Sequence, residues 1–299
     1  MSVLASPTGG RVAVAAQVLA SSRPVSWVNT AYPFGAAYLL AGGGVDWPFV
    51  LGCLYFLVPY NLLMYGVNDV FDYESDLRNP RKGGVEGVVL DRRVHRTTIV
   101  AAAVSTLPFL AALALLGDAR SLTVLAVSVF AVVAYSAPGL RFKERPFLDS
   151  LTSSTHFVSP AVFGLTLAAG DLDAAALAAL GGFFLWGMAS HAFGAVQDIE
   201  ADRAARIGSV GTVLGARATT WFALLCYLAA GGLLLTLGWP GALAAVLVLP
   251  YVGNVAPYLT LTDAECEQAN AGWRRFLWLN YLTGFLVTQL LIGISLGWW

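Results

Sequence analysis

The sequence predicts an all-α, polytopic membrane protein, and three observations carry that prediction. Its residues are 58% hydrophobic and 12% charged, with a mean hydropathy of +0.70, whereas a soluble domain carries roughly 25% charged residues. Apolar runs of about twenty residues, the length a helix needs to cross a bilayer core, recur along the chain. The cations between them alternate: every Lys and Arg except Arg120 falls at the amino terminus or in a loop after an even-numbered run. Cytoplasmic loops collect Lys and Arg. Nine helices with a cytoplasmic amino terminus explain the alternation, so the expectation is a multi-pass protein of the cell membrane.

In chain order, residues 1–22 hold a single Arg and a short Ala/Val run with no break before the next apolar segment. A helix on the membrane surface is expected there, not a cleaved signal peptide. Membrane helices are predicted at 25–42, 46–67, 97–116, 121–138, 150–169, 174–197, 218–238, 241–260 and 276–297. Only "GDAR" separates the third from the fourth, and Pro138 with Gly139 stops the fourth. The whole chain, 1–299, reads as one transmembrane domain. A net charge of −1 gives no surplus for holding nucleic acid. Cys53, Cys226 and Cys266 form no CxxC pair, which excludes a zinc ribbon or redox dithiol. No pattern specifies an oligomer.

Two acidic clusters fall on the expected cytoplasmic side. After the second helix, Asn68, Asp72 and Asp76 are spaced i, i+4, i+8, so a continuing helix places three oxygen-bearing side chains on one face. Like charges at that spacing repel, and something cationic should offset them. At the end of the sixth helix, Asp198 and Asp202 stand one turn apart, with Glu200 on the opposite side. Hard oxygen ligands without paired His or Cys suit Mg²⁺, which takes one or two carboxylates plus phosphate oxygens. Two such rows could clamp a diphosphate through metal ions. One cluster alone would serve equally to stop a helix, but two with matched spacing on one side point to function.

A third element follows the fourth helix, where Arg141, Lys143 and Arg145 alternate in "YSAPGLRFKERP" and can meet phosphate oxygens. Ordinary membrane anchoring explains that loop equally well. His95, His156 and His191 are too dispersed for a metal site and are expected to pack. His191 stands apart because it lies seven residues before Asp198, on roughly the same helical face. A cation-coupled transporter would place acids near the midplane of inverted repeats; here the acids lie at helix ends and the two halves share an Asp motif in one orientation.

These residues resemble the UbiA superfamily of intramembrane prenyltransferases. Its NDxxDxxxD motif is met by Asn68, Asp69, Asp72 and Asp76, and its DxxxD motif by Asp198 and Asp202 followed by Arg203. Its YS-P--R-K pattern is met by Tyr135, Ser136, Pro138, Arg141 and Lys143. The second motif departs from many members in having Gln197 before Asp198 and Ala201 before Asp202. The resemblance implies nine helices around a central cavity capped by the two Asp rows. It implies two Mg²⁺ ions on Asn68, Asp72, Asp76, Asp198 and Asp202, with Asp69, Asp72 and Asp198 catalytic. An isoprenyl diphosphate would be held by Arg141, Lys143, Tyr135, Arg78 and Lys82, and a lipophilic acceptor would enter from the bilayer. The stretches "SRPVSWVNTAYPFGAAYL" and "NDVFDYESDLRNPRKGGVEG" look most like the lycopene elongase branch, which attaches C5 units from dimethylallyl diphosphate to lycopene. Relatives on the same scaffold use an aromatic quinone precursor, a chlorophyllide or an archaeal glycerol lipid instead.

Overall fold

The computed structural model describes residues 7–77 and 89–299, apart from the side chains of residues 7–12, 75 and 76. Among the described residues the regular structure is entirely helical. The principal helices are α1 (Pro7–Ser21), α2 (Val28–Leu40), α3 (Trp47–Phe71), α4 (Arg92–Leu116), α5 (Ala119–Ser136), α6 (Leu148–Leu167), α7 (Ala174–Val196), α8 (Ile199–Ala205), α9 (Val210–Leu235), α10 (Gly241–Tyr258) and α11 (Asp263–Ser295). Seven of these are long and apolar enough to cross a membrane: α3, α4, α5, α7, α9, α10 and α11.

The predicted first and fifth spans correspond to α2 and α6, which fall short for different reasons. α2 has only 13 residues. α6 has 20 but is rich in Ser and Thr, and Ser150, Thr152, Ser154, His156, Ser159 and Thr166 are all buried. A helix enclosed by protein need not be apolar, because its hydroxyls bond to neighbouring helices. Residues 1–22 were expected to form a surface helix, and α1 does form there; Gln17 at its end accepts a hydrogen bond from the Asp91 backbone N–H at 3.3 Å.

Helix starts are legible as caps. The Asp46, Asp91, Asp118 and Asp173 side chains each accept a backbone N–H at the start of α3, α4, α5 and α7, and Ser209 does so for α9. Such oxygens satisfy orphan donors at the positive end of the helix dipole. At Asp118 the Ser121 N–H holds the carboxyl below its usual range.

Chain contacts divide into two compact units, residues 1–141 with 159–170 and residues 142–158 with 171–299. The first has an aromatic core of Phe34, Tyr38, Tyr55, Phe56, Tyr60 and Phe163. There α6 meets α2 so closely that a Cβ on Gly164 would lie 2.3 Å from the Phe34 carbonyl oxygen. The second is built on Phe193, Tyr227, Tyr251, Tyr258 and Phe276, with Trp186 and Trp273 packed against them.

Candidate active site

The first acidic row sits on a helix that is irregular where it approaches the site. α3 breaks at Val58–Pro59 and winds as π-helix over Leu62–Gly66, then returns to α geometry for Val67–Phe71. Single π turns recur next to functional residues because they rotate the succeeding side chains around the axis. Asn68 receives the Ser136 hydroxyl on Oδ1 at 2.9 Å. Asp69 is 1% exposed, and its Oδ1 is 3.1 Å from Nη2 of Arg23. That guanidinium also stacks 4.2 Å over the Tyr65 ring. Asp72 ends the helix at φ −96, ψ 0, and Nη2 of Arg141 donates to its Oδ1 at 3.4 Å.

The expected continuous helix through Asp76 is therefore corrected: the chain bends at Asp72, and a separate turn, Tyr73–Asp76, follows. Like charges and the negative end of the helix dipole both oppose continuation there. Glu74 points out of the row to form an exposed ion pair with Arg92, which in turn lies 5.0 Å over the Tyr73 ring. The side chain of Asp76 lies outside the described residues, as do Arg78 and Lys82.

The second row repeats this bend. α7 gives way through Gln197 to Asp198 at φ −99, ψ −4, and α8 follows. Asp72-Tyr73-Glu74-Ser75-Asp76 and Asp198-Ile199-Glu200-Ala201-Asp202 thus share both an Asp-x-Glu-x-Asp pattern and a backbone conformation at the first Asp. This sparsely allowed bridge region is frequent at active sites. The Asp202 N–H donates to the Asp198 carbonyl at 2.8 Å, and both side chains are half-buried. Gln197, the departure from the family pattern, is buried; it donates to the Gly194 carbonyl at 3.1 Å and accepts from Asn270. Arg203 is committed to structure, held by Asp263 and by the Thr212 carbonyl.

In the third element, Tyr135 is half-buried in the last turn of α5, and Lys143 is half-buried in a 3₁₀ turn, Phe142–Glu144. Arg141 itself has φ 41. Sequence reasoning took Arg23 only as an amino-terminal cation and Ser136 only as part of the YS-P--R-K pattern, and assigned nothing to Asp149. Asp149 is fully buried, and its Oδ2 accepts the Val210 N–H at 2.7 Å. Beside it, the Ser150 hydroxyl meets His191 Nδ1 at 3.1 Å. His95 packs edge-on against Tyr73, and His156 is buried in α6.

Among the described residues, no three His, Cys, Asp or Glu side chains form a metal cage of their own. The attraction of Arg141 to Asp72 shows that the first row already draws a cation.

Residues 30–282 match the UbiA prenyltransferase family. Over 279 residues the chain is 61% identical to a protein of Dietzia sp. (strain CQ4) described as "C(50) beta-cyclic carotenoids biosynthesis protein LbtBC", covering 93% of this chain and 65% of that one. It is 57% identical over 277 residues to the lycopene elongase/hydratase of Corynebacterium glutamicum, covering 93% and 96% of the two chains. A UbiA homolog from Archaeoglobus fulgidus solved with GPP and Mg²⁺ superposes with a TM-score of 0.65 at 16% identity, over 89% of this chain and 99% of that one; that likeness shows the fold. Bent acidic rows, helical architecture and sequence agree, and the chain belongs to the UbiA prenyltransferase family.

Proposed function

We propose that this chain is a Mg²⁺-dependent intramembrane prenyltransferase that moves a C5 unit from dimethylallyl diphosphate onto lycopene, toward C50 carotenoids. The observation that carries the reading is the repeated bend: two Asp-x-Glu-x-Asp segments with matching backbone at Asp72 and Asp198. Both occur where a membrane helix ends, and a carboxylate at the negative end of a helix dipole needs a cation. The carotenoid acceptor follows from the relatives named lycopene elongase/hydratase.

In this reading residues 1–299 act as one domain. Asn68, Asp72, Asp76, Asp198 and Asp202 would hold two Mg²⁺ ions, directly or through water. Bound Mg²⁺ neutralises the diphosphate and makes it a competent leaving group. Arg141 exchanges the Asp72 carboxylate for phosphate oxygens, and Lys143, Tyr135, Arg78 and Lys82 complete the polar coat around the anion. Asp69, tied to Arg23, fixes the orientation of the row. Water would trap an allylic cation as an alcohol, so the apolar surroundings protect it and aromatic faces stabilise it. The diphosphate enters from the cytoplasmic side, where the amino terminus also lies, and the acceptor enters from the bilayer.

The test supplies purified protein with labelled dimethylallyl or geranylgeranyl diphosphate, each paired with lycopene or an aromatic acid. Label should pass from dimethylallyl diphosphate into the carotenoid only with Mg²⁺, and Asp72→Ala or Asp198→Ala should abolish transfer. Label in the aromatic acid would make the chain a quinone-precursor transferase. Full transfer by either variant would remove the two-row reading.

A further inference from the structure

The start of α9 carries a groove lined by none of the described residues assigned above to metal or diphosphate. Its volume is about 720 Å³, within the roughly 300–1,000 Å³ range of small-ligand sites. Arg203, Arg217 and Asp263 supply its charges, and Ala218, Trp221, Phe222 and Leu225 lie along its apolar wall. We propose that this groove seats one anionic phospholipid, with the headgroup phosphate on Arg217 and an acyl chain along α9, an assignment independent of the transferase reading.

The charges in the groove do not cancel. Asp263 is already engaged: its Oδ1 accepts the Ala216 N–H at 2.6 Å, and its Oδ2 accepts from Nη1 of Arg203 at 2.5 Å. Arg203 is fixed in turn, because its Nε and Nη2 both donate to the Thr212 carbonyl. Arg217 differs from both. It is exposed, and it has no ion-pair or hydrogen-bond partner among the described residues. With Asp263 balancing Arg203, the charge of Arg217 is left for an anion. Basic pockets between membrane helices hold lipid headgroups, and the cytoplasmic leaflet, on whose side Arg217 is expected, is the anionic one.

The apolar wall selects a lipid over a free anion. α9 is long and apolar enough to cross a membrane, and Arg217, Trp221, Leu225 and Leu228 recur along it at helical spacing, so they form a single stripe. All four are exposed. At 1.5 Å per residue the stripe runs about 17 Å from Arg217 to Leu228, close to one leaflet of a roughly 30 Å hydrocarbon core. A phosphate at its first residue therefore lays an acyl chain beside the other three. Trp221 stands one turn below Arg217, at the depth where Trp collects in membranes, and its indole N–H can donate to an ester carbonyl of the lipid.

The experiment titrates the purified full chain in detergent with phosphatidylglycerol, phosphatidylcholine or glycerol 3-phosphate and counts bound molecules by native mass spectrometry. The parent should hold one phosphatidylglycerol more tightly than phosphatidylcholine, and glycerol 3-phosphate should not displace it. Arg217→Gln should weaken that binding about fivefold, the contribution of one cation at an anionic leaflet, and Ala218→Trp, which fills the groove, should abolish it. Arg274→Gln removes an exposed cation outside the groove and should bind as the parent does. Arg217 and Ala218 are both exposed, so their variants should unfold at the parent's midpoint in detergent alone, which separates loss of the site from loss of the fold. Equal retention of the two phospholipids would overturn the proposal, as would parent-like binding by Arg217→Gln or Ala218→Trp, or equal weakening by Arg274→Gln. So would displacement by glycerol 3-phosphate, which would mark a free-anion site, or a two-chain mass lost in Ala218→Trp, which would make the groove a contact between copies.

Discussion

Arg23 and Asp69 show how much of the site depends on a residue far away in sequence. Asp69 is 1% exposed, and the Arg23 side chain keeps 21% exposure, so the pair is mostly withdrawn from water. Removing only the cation takes this ion pair from a buried carboxylate, whereas replacing both partners by apolar groups removes the buried charge as well as the bond. Arg23→Met should therefore destabilise the purified protein by roughly 2–4 kcal/mol, read as a clear fall in its unfolding midpoint. The double variant Arg23→Met with Asp69→Leu should recover most of that loss; no recovery would mean that the pair is not the source of the effect. Asn68, Asp72, Asp198 and Asp202 stand out in the sequence because their pattern is one of local spacing. The hydrogen bonds of Ser136 and Asp149 do not stand out there, because each reaches a group more than sixty positions away, and nothing local marks the partner.

At the scale of helices, hydropathy located nearly every segment and misjudged their interiors. It could not find the π turn at Leu62–Gly66 or the mixed 3₁₀ and α winding of α10, since packing, not composition, sets these. It read 150–169 as a membrane helix like the rest, and did not show that Ser154 bonds the Phe184 carbonyl at 2.6 Å and Ser159 bonds Ser128 at 2.8 Å. The sharpest interior feature is in α9. Gly215 has φ 78 and ψ 168, a region open essentially to Gly alone, and the helix restarts at Ala216, whose N–H is accepted by Asp263 Oδ1 at 2.6 Å. A Cβ at Gly215 would lie 2.9 Å from that oxygen. Gly215→Ala should cost about 1–3 kcal/mol, measured by thermal unfolding in detergent. Gly232→Ala on the same helix, where a Cβ meets nothing within 4 Å, should leave stability unchanged or raised. Equal losses at both positions would contradict the special geometry of Gly215.

At the scale of the whole molecule, the order of the helices sorts the acids into those at helix starts and those at helix ends. Acids that begin helices serve as caps, as at Asp46, Asp118 and Asp173, whereas those that end α3 and α7 are at the electrostatically unfavourable pole. That contrast was available from the sequence once helix ends were assigned, and it separates carboxylates that cap a helix start from those placed at a helix end. Two such ends, made alike at Asp72 and Asp198, are the observation on which the proposed diphosphate site rests. The most direct measurement is the affinity of the purified protein for dimethylallyl diphosphate, with Mg²⁺ or with chelator, in the parent and in Asp72→Asn and Asp198→Asn. The expected result is binding only with Mg²⁺, weakened at least a hundredfold by either substitution. Parent-like affinity in Asp198→Asn, or binding that ignores Mg²⁺, would contradict a diphosphate held through metal by both rows.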